Sequence, residues 1–372
     1  MYKGPAVIVF ADLIGSSELS EFAGLEEYAR IIQGFHATAG EIARAVWAET
    51  SCNVTDAAFK DKLGMSARGD EFCVIAARLS EQYNEFHTNL HMSPEYGQWI
   101  MCKVLAALKF ALTLKAAWLV SPYNISERIL RGRLPLDMAV GVHIGSVALP
   151  KPKAEAEVDV SDFIGYAVNV AKRIEGTGRK AGWTAVMVSP EVRYVAKDAL
   201  PSIVFYTHPE VHLQGTLRPL QVAEIQQVVN FADCLPQTWR AQLPEDVSPG
   251  QLVDALGAVV DCHEWIRGFR FLATFALALS GLDQNAVALG EGLLDNVVKA
   301  AMEHYANGEV WKARGMLENI YGEVQGHPVV EHLLADCARV AGELEDEKRH
   351  RARIASRRTP YYYGGAWTKG IK

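Results

Sequence analysis

Val7-Ile8-Val9-Phe10-Ala11-Asp12-Leu13-Ile14-Gly15-Ser16-Ser17 is the stretch that decides the fold. Ala6 to Ala11 are apolar and rich in β-branched residues, which predicts a buried strand. The run delivers one carboxylate, Asp12, to its end, and the small turn Gly15-Ser16-Ser17 follows. Helical spacing then takes over from Leu19 to Trp47, with Phe22, Leu25, Ile31, Ile32, Phe35, Ile42 and Val46 as its apolar stripe.

Further along, Arg68-Gly69-Asp70-Glu71 sets a second carboxylate in a hairpin that leads into a strand over Phe72 to Ala76. Trp99 to Val120 is a strongly apolar helix, suited to packing on a sheet. Leu136 to Ile144 reads as a strand closed by Gly145, and Lys151 to Asp159 as a charged loop. Val168 to Gly176 starts a helix, Ala185 to Val188 is a strand, and Val211 to Ile225 a closing hairpin. The mixed pattern stops near Val229, and from Ser248 the spacing is helical. Three segments are therefore expected: 1–229 mixed, 230–347 helical, and a basic, aromatic tail over 348–372. Gly308 to Ala313 with Leu317, Ile320, Tyr321 and Pro328 resembles a single tetratricopeptide-type hairpin; an irregular helical bundle fits the same residues.

The net charge of −7 argues against general nucleic-acid binding, which needs a broad cationic surface. It leaves room for a nucleotide neutralised by a divalent metal. Cys52, Cys73, Cys102, Cys234, Cys262 and Cys337 form no Cys-x-x-Cys pair, so reduced thiols in a cytoplasmic protein are expected. No leader-like segment opens the sequence, and the most apolar later stretch, Phe269 to Leu282, is broken by Arg270 and falls short of the roughly 20 residues of a membrane span. No membrane partner is expected.

Two carboxylates near one another suit divalent metal, because magnesium takes carboxylate oxygens and keeps phosphate and water ligands. Read singly, Asp12 is also a good helix N-cap and Asp70 a good turn residue. Gly15-Ser16-Ser17 at a helix start suits a phosphate, and equally an ordinary cap. In Gly165-Tyr166-Ala167-Val168-Asn169-Val170-Ala171-Lys172-Arg173, Asn169 and Arg173 are spaced i, i+4 and share one helix face. A forked guanidinium there can grip phosphate, and the amide can hold a ribose oxygen.

Together these motifs resemble the catalytic domain of class III nucleotidyl cyclases, the adenylate and guanylate cyclase family, over roughly residues 6 to 226. The resemblance implies an α+β fold, a ferredoxin-like palm, here followed by an all-α C-terminal domain. It implies that Asp12 and Asp70, helped by the Leu13 carbonyl, hold two divalent ions, Mg2+ or Mn2+. Ile14, Gly15, Ser16 and Ser17 would cradle the phosphates of a nucleoside triphosphate. Asn169 and Arg173 would act on the substrate of the opposite subunit in a head-to-tail homodimer. Arg68-Gly69-Asp70-Glu71-Phe72 also resembles the diguanylate cyclase signature, but Arg stands in place of its first Gly, and the Asn169/Arg173 helix does not belong to that family.

In class III cyclases two positions read the purine; here they are Ser66 and Asp162, and the pair is not the usual one. Ser66, Arg68 and Asp70 are two apart and point to one face of a strand. An Arg68 guanidinium in the base pocket would shrink it and donate to a pyrimidine carbonyl, while Asp162 would accept from the base; a salt bridge from Arg68 to Glu71 or Asp162 is the competing reading. The sequence also resembles the bacterial pyrimidine cyclases of anti-phage signalling (Pycsar), which implies UTP as substrate, cUMP as second messenger and a separate effector that the product activates. CTP or ATP, or a cyclase-like module that binds nucleotide without turnover, are the alternatives. Arg218 is the cation available in place of the family's triphosphate-binding Lys.

Overall fold

In the computed structural model the described residues are 1–50, 59–83, 94–150 except 134, 157–208 except 182–183, 219–228, scattered positions between 236 and 255, 297–324 and 328–355. The chain divides into two compact units, Met1–Trp118 with Leu136–Trp239, and Leu119–Pro135 with Arg240–Lys372.

The first unit is built on strands β1 (Tyr2–Leu13), β2 (Lys60–Arg68), β3 (Glu71–Leu79), β4 (Met138–Leu149), β5 (Glu157–Val158), β6 (Val186–Val188), β7 (Ile203–Thr207) and β8 (Ala223–Val228). They form one eight-stranded sheet in the order β5-β2-β3-β1-β4-β6-β8-β7. Helices α1 (Ser16–Phe22) and α2 (Leu25–Glu49) connect β1 to β2, and α3 (Pro94–Leu119) lies between β3 and β4. Two β-α-β units thus interleave into an antiparallel β2-β3-β1-β4 core, which is the ferredoxin-like palm. Helices α4 (Tyr166–Thr177) and α5 (Pro190–Ala199) complete the unit.

β1 pairs on both sides, with β3 and with β4, so every residue from Gly4 to Leu13 is buried. This explains the near-continuous apolar run; a strand with one wet face would alternate. The α2 stripe Ile31, Ile32, Phe35, Ile42 and Val46 is buried as its spacing predicts, each side chain contributing about 1.5–3 kcal/mol.

Several boundaries differ from the sequence expectation. The long first helix is two, because Gly24 at φ +74° breaks it after Phe22. β4 does not stop at Gly145 but runs to Leu149. A Cβ at Gly141 would lie 2.4 Å from the Glu175 nitrogen, and one at Gly145 would lie 2.5 Å from the Ala167 Cβ. Both glycines let α4 lie directly on the strand. The closing hairpin is β7 with β8, so its first strand lies upstream of the expected Val211; residues 209–218 are outside the described set. Phe269 to Leu282 and residues 356–372 of the tail also lie outside it.

The described part of the second unit is helical, with α6 (Val310–Val324), α7 (Pro328–Ala341) and α8 (Leu344–Ala355). The buried His350 of α8 meets Glu331 of α7 at 2.6 Å. Among the described residues no single helix is long and apolar enough to cross a membrane.

Candidate active site

The end of β1 and the tip of the β2–β3 hairpin meet at one edge of the palm. Asp12 stands opposite Glu71 of β3 and Ala139 of β4. The Leu13 N–H donates to the Asp70 carbonyl at 3.3 Å, and the Ile14 N–H to the Asp137 carbonyl at 2.8 Å. Gly69, at φ +56°, makes the two-residue turn that carries Asp70. Asp12 is therefore a strand residue and not a helix N-cap; that position belongs to Gly15, at φ +87°. The Ser16 hydroxyl donates to the Asp70 carboxylate. Its oxygen orients an acid, a tie that spacing alone did not suggest, whereas Ile14, Gly15 and Ser17 make no side-chain hydrogen bond to Asp70.

Asp12 is only 6% exposed, and its Oδ1 is buried without a hydrogen-bond partner. Its Oδ2 accepts from Lys172 Nζ at 3.1 Å, and Arg179 Nη2 lies 3.6 Å away. Burial pushes the Asp12 carboxyl above its usual range; Lys172 opposes this, and the charges of Asp70 and Glu71 add to it. Lys172 also meets Glu71 at 2.6 Å and Glu175 at 3.0 Å. Glu175, 2% exposed, is raised to about 7 by burial against the pull of Lys172. The Lys172 ammonium is desolvated, yet Glu175, Glu71 and Asp12 hold its pKa above the ordinary lysine value. On α2, burial raises the Tyr28 phenol, and the Asp70 and Asp12 charges raise it further.

Among the described residues no group of three or more His, Cys, Asp or Glu is arranged to hold a metal ion. The set on offer is two carboxylates and the Leu13 carbonyl, all hard oxygens. The orphaned Asp12 Oδ1 needs a cationic or donor partner, and a divalent ion that keeps phosphate and water ligands fits this set.

Asn169 and Arg173 sit on α4, Asn169 exposed and Arg173 half-buried with Nη1 lacking a hydrogen-bond partner. Neither is bonded to Asp12 or Asp70 of its own chain; the α4 residue that reaches Asp12 is Lys172. Sequence reasoning passed over Lys172, Glu71, Glu175 and Arg179. The i, i+3 spacing of Lys172 and Glu175 was a readable signal of a local pair. The reach to Asp12, 160 positions away, was not.

Ser66, Arg68 and Asp162 come to one sheet edge. β5 runs parallel to β2 with Gly64 opposite Val158, and the short helical turn Val160–Asp162 follows. Arg68 is paired neither with Glu71 nor with Asp162: its Nη2 lies 3.4 Å from Asp159 Oδ1, with both side chains more than half exposed. Asp159 is itself held by its turn, accepting from the Ser161 N–H at 2.7 Å and hydroxyl at 2.6 Å. An exposed pair of this kind contributes about 0–1 kcal/mol and leaves Arg68 free to swing. Arg218 lies outside the described residues.

Three solved structures illustrate what the chain is similar to. The adenylyl cyclase CyaB from P. aeruginosa is 18% identical, with 60% of this chain covering 95% of that one at a TM-score of 0.41. An adenylate cyclase from Trypanosoma brucei is 14% identical, with 60% covering 89% at 0.39. An adenylate/guanylate cyclase/hydrolase from Silicibacter pomeroyi is 17% identical, with 60% covering 97% at 0.37. No protein-family model matches the chain, and no curated protein matches it. Likeness at this level leaves the functional reading to the chain's own residues.

Proposed function

We propose that the chain is a metal-dependent nucleotidyl cyclase, working as a homodimer in the cytoplasm, that converts UTP to 3',5'-cUMP and pyrophosphate. The observation that carries this reading is the buried, unpartnered Asp12 Oδ1 beside Asp70 at the mouth of a small turn. Two divalent ions bound there would acidify the ribose 3'-hydroxyl and neutralise the triphosphate. The chain's residues do the rest. Asp12 and Asp70 fix the carboxylate oxygens, and Ser16 holds Asp70 in place. Ile14, Gly15 and Ser17 line the turn that receives the phosphates, with Arg218 as a further cation. The 3'-oxygen bonds to the α-phosphorus, the bond to the β-phosphate oxygen breaks, and the hydroxyl proton leaves to solvent. Asn169 from the other subunit holds the ribose, and Arg173 meets the charge that builds on the α-phosphate. Ser66, Arg68 and Asp162 at the β2–β5 edge read the base, the exposed guanidinium favouring a pyrimidine carbonyl over a purine ring. The product then acts on a separate effector in anti-phage defence, with the palm over 1–229 as the catalytic domain and 230–347 and 348–372 as appendages.

One observation favours a second reading. Lys172 sits on Asp12 where a metal would draw, as it would in a cyclase-like module that binds nucleotide without turnover. Incubating the pure protein with each of the four nucleoside triphosphates and Mn2+ separates the two. Cyclic product, fastest from UTP, supports the enzyme; cCMP or cAMP as the fastest product keeps the cyclase and moves the base; no cyclic product from any of the four supports the module.

A further inference from the structure

The cluster around Asp12 holds more charge than two metal-ligating acids explain. Asp12, Glu71 and Glu175 meet two cations, Lys172 and Arg179. The ammonium of Lys172 bridges three of these acids at 3.1, 2.6 and 3.0 Å. Two carboxylate oxygens of the cluster, Asp12 Oδ1 and Glu175 Oε1, are buried with no hydrogen-bond partner although their residues are only 6% and 2% exposed. An ammonium that served only to pin α4 to the sheet would need one partner. This one takes a carboxylate oxygen from the residue best placed to hold metal and leaves that residue's other oxygen buried without a hydrogen-bond partner.

We infer that Lys172 is a built-in competitor for the divalent cation: it occupies Asp12 Oδ2 and weakens the site for free metal, leaving Asp12 Oδ1 and Asp70 as the point of entry. The physical reason is repulsion between the ammonium and a divalent ion drawn to the same buried carboxylate. Lys172 in turn keeps the acids from repelling one another apart while the site awaits its ion. The inference rests on the metal reading of Asp12 and deepens it.

The test is Mn2+ binding to the full-length protein without nucleotide, followed by the loss of the free-Mn2+ electron paramagnetic resonance signal. Lys172→Met should tighten Mn2+ about tenfold or more, since an adjacent positive charge is gone. Lys172→Arg, which keeps the charge, should bind as the wild type does. Asp12→Asn should weaken binding in both the wild-type and the Lys172→Met background. Unchanged or weaker Mn2+ binding in a folded Lys172→Met protein, with Asp12→Asn still weakening it, would overturn the competitor role alone. Mn2+ binding indifferent to Asp12→Asn would overturn both this role and the metal reading. Lys172→Gln, neutral and able to hydrogen-bond the same acids, gives the same readout if the Met variant does not fold.

Discussion

Lys115 and Lys172 both carry an ammonium into the first unit and both meet carboxylates, but their surroundings differ. Lys115, on α3, is 1% exposed and faces one acid, Asp137, at 2.5 Å; its Nζ also donates to the Met138 carbonyl at 2.8 Å. Within this pair one cation meets one anion. The Asp137 carbonyl in turn accepts from the Ile14 N–H, so the pair is tied to the Gly15-Ser16-Ser17 turn. Lys172 lies nearer solvent, faces three acids, and leaves two buried carboxylate oxygens without partners. A nearly fully buried pair of one cation and one anion is scaffold, whereas one ammonium shared by three acids nearer solvent is placed to meet something that arrives.

The largest effect is expected at the three-acid cluster around Lys172. Asp12→Ala or Asp70→Ala should cut cyclic-nucleotide formation by a barrier increase of several kcal/mol, each 1.4 being about tenfold. Thermal melting should stay near wild type, because removing one acid relieves repulsion in the cluster. A rate assay with a parallel melt checks this, and wild-type turnover in either variant would contradict the two-metal assignment.

The Lys115–Asp137 pair should break the opposite way. Lys115→Met takes the ammonium away from the buried Asp137 carboxylate and should destabilise the fold by about 3–5 kcal/mol in urea denaturation. Changing both partners, Lys115→Met with Asp137→Leu, should recover most of that loss. A double variant no more stable than the single one would mean that the lysine matters for something other than charge balance.

His143, buried on β4 and 3.9 Å from Glu191, is a third test of burial in the same sheet. Burial lowers its pKa from 6.5 to about 4, Glu191 opposing. Below pH 6.5 the unfolded chain takes up a proton that the folded one refuses, so this contribution is present above 6.5 and is lost as pH falls towards 4. The loss is on the order of 2–3 kcal/mol. Denaturation at pH 7.5 and 4.5 should show a smaller acid penalty in His143→Gln than in wild type; equal penalties would deny that His143 is buried neutral.

The smallest effect belongs to the exposed edge. Arg68→Ala should lower pyrimidine turnover by roughly 1.5–3 kcal/mol and narrow the preference over purines, through loss of a charge-assisted hydrogen bond. Asp162→Ala should also blur base selection. Competition between UTP and ATP reads both, and an unchanged ratio would return Arg68 to a surface ion pair with Asp159.

The parts of the site legible in the sequence were those whose signal is local. β1 announced itself because a strand paired on both sides is apolar throughout, and Asp12 stood out as the charge at its end. The Gly69-Asp70 turn and the i, i+4 pair on α4 were likewise written within a few residues. Gly145 was misread as a strand end because a close helix approach and a turn both call for glycine, and only the packing of Ala167 on β4 separates them. The Lys172 cluster was missed because it joins β1, β3 and α4, and nothing in the spacing of Asp12, Glu71 and Glu175 says that they converge.

A site divided between two chains takes its acids from one and Asn169 and Arg173 from the other. Mixing inactive Asp70→Ala protein with inactive Arg173→Ala protein tests it most directly. Random pairing gives heterodimers with one intact site each, so cUMP formation from UTP and Mn2+ should return to about a quarter of the wild-type rate. No recovery, with heterodimers demonstrated by native mass spectrometry, would contradict the divided site.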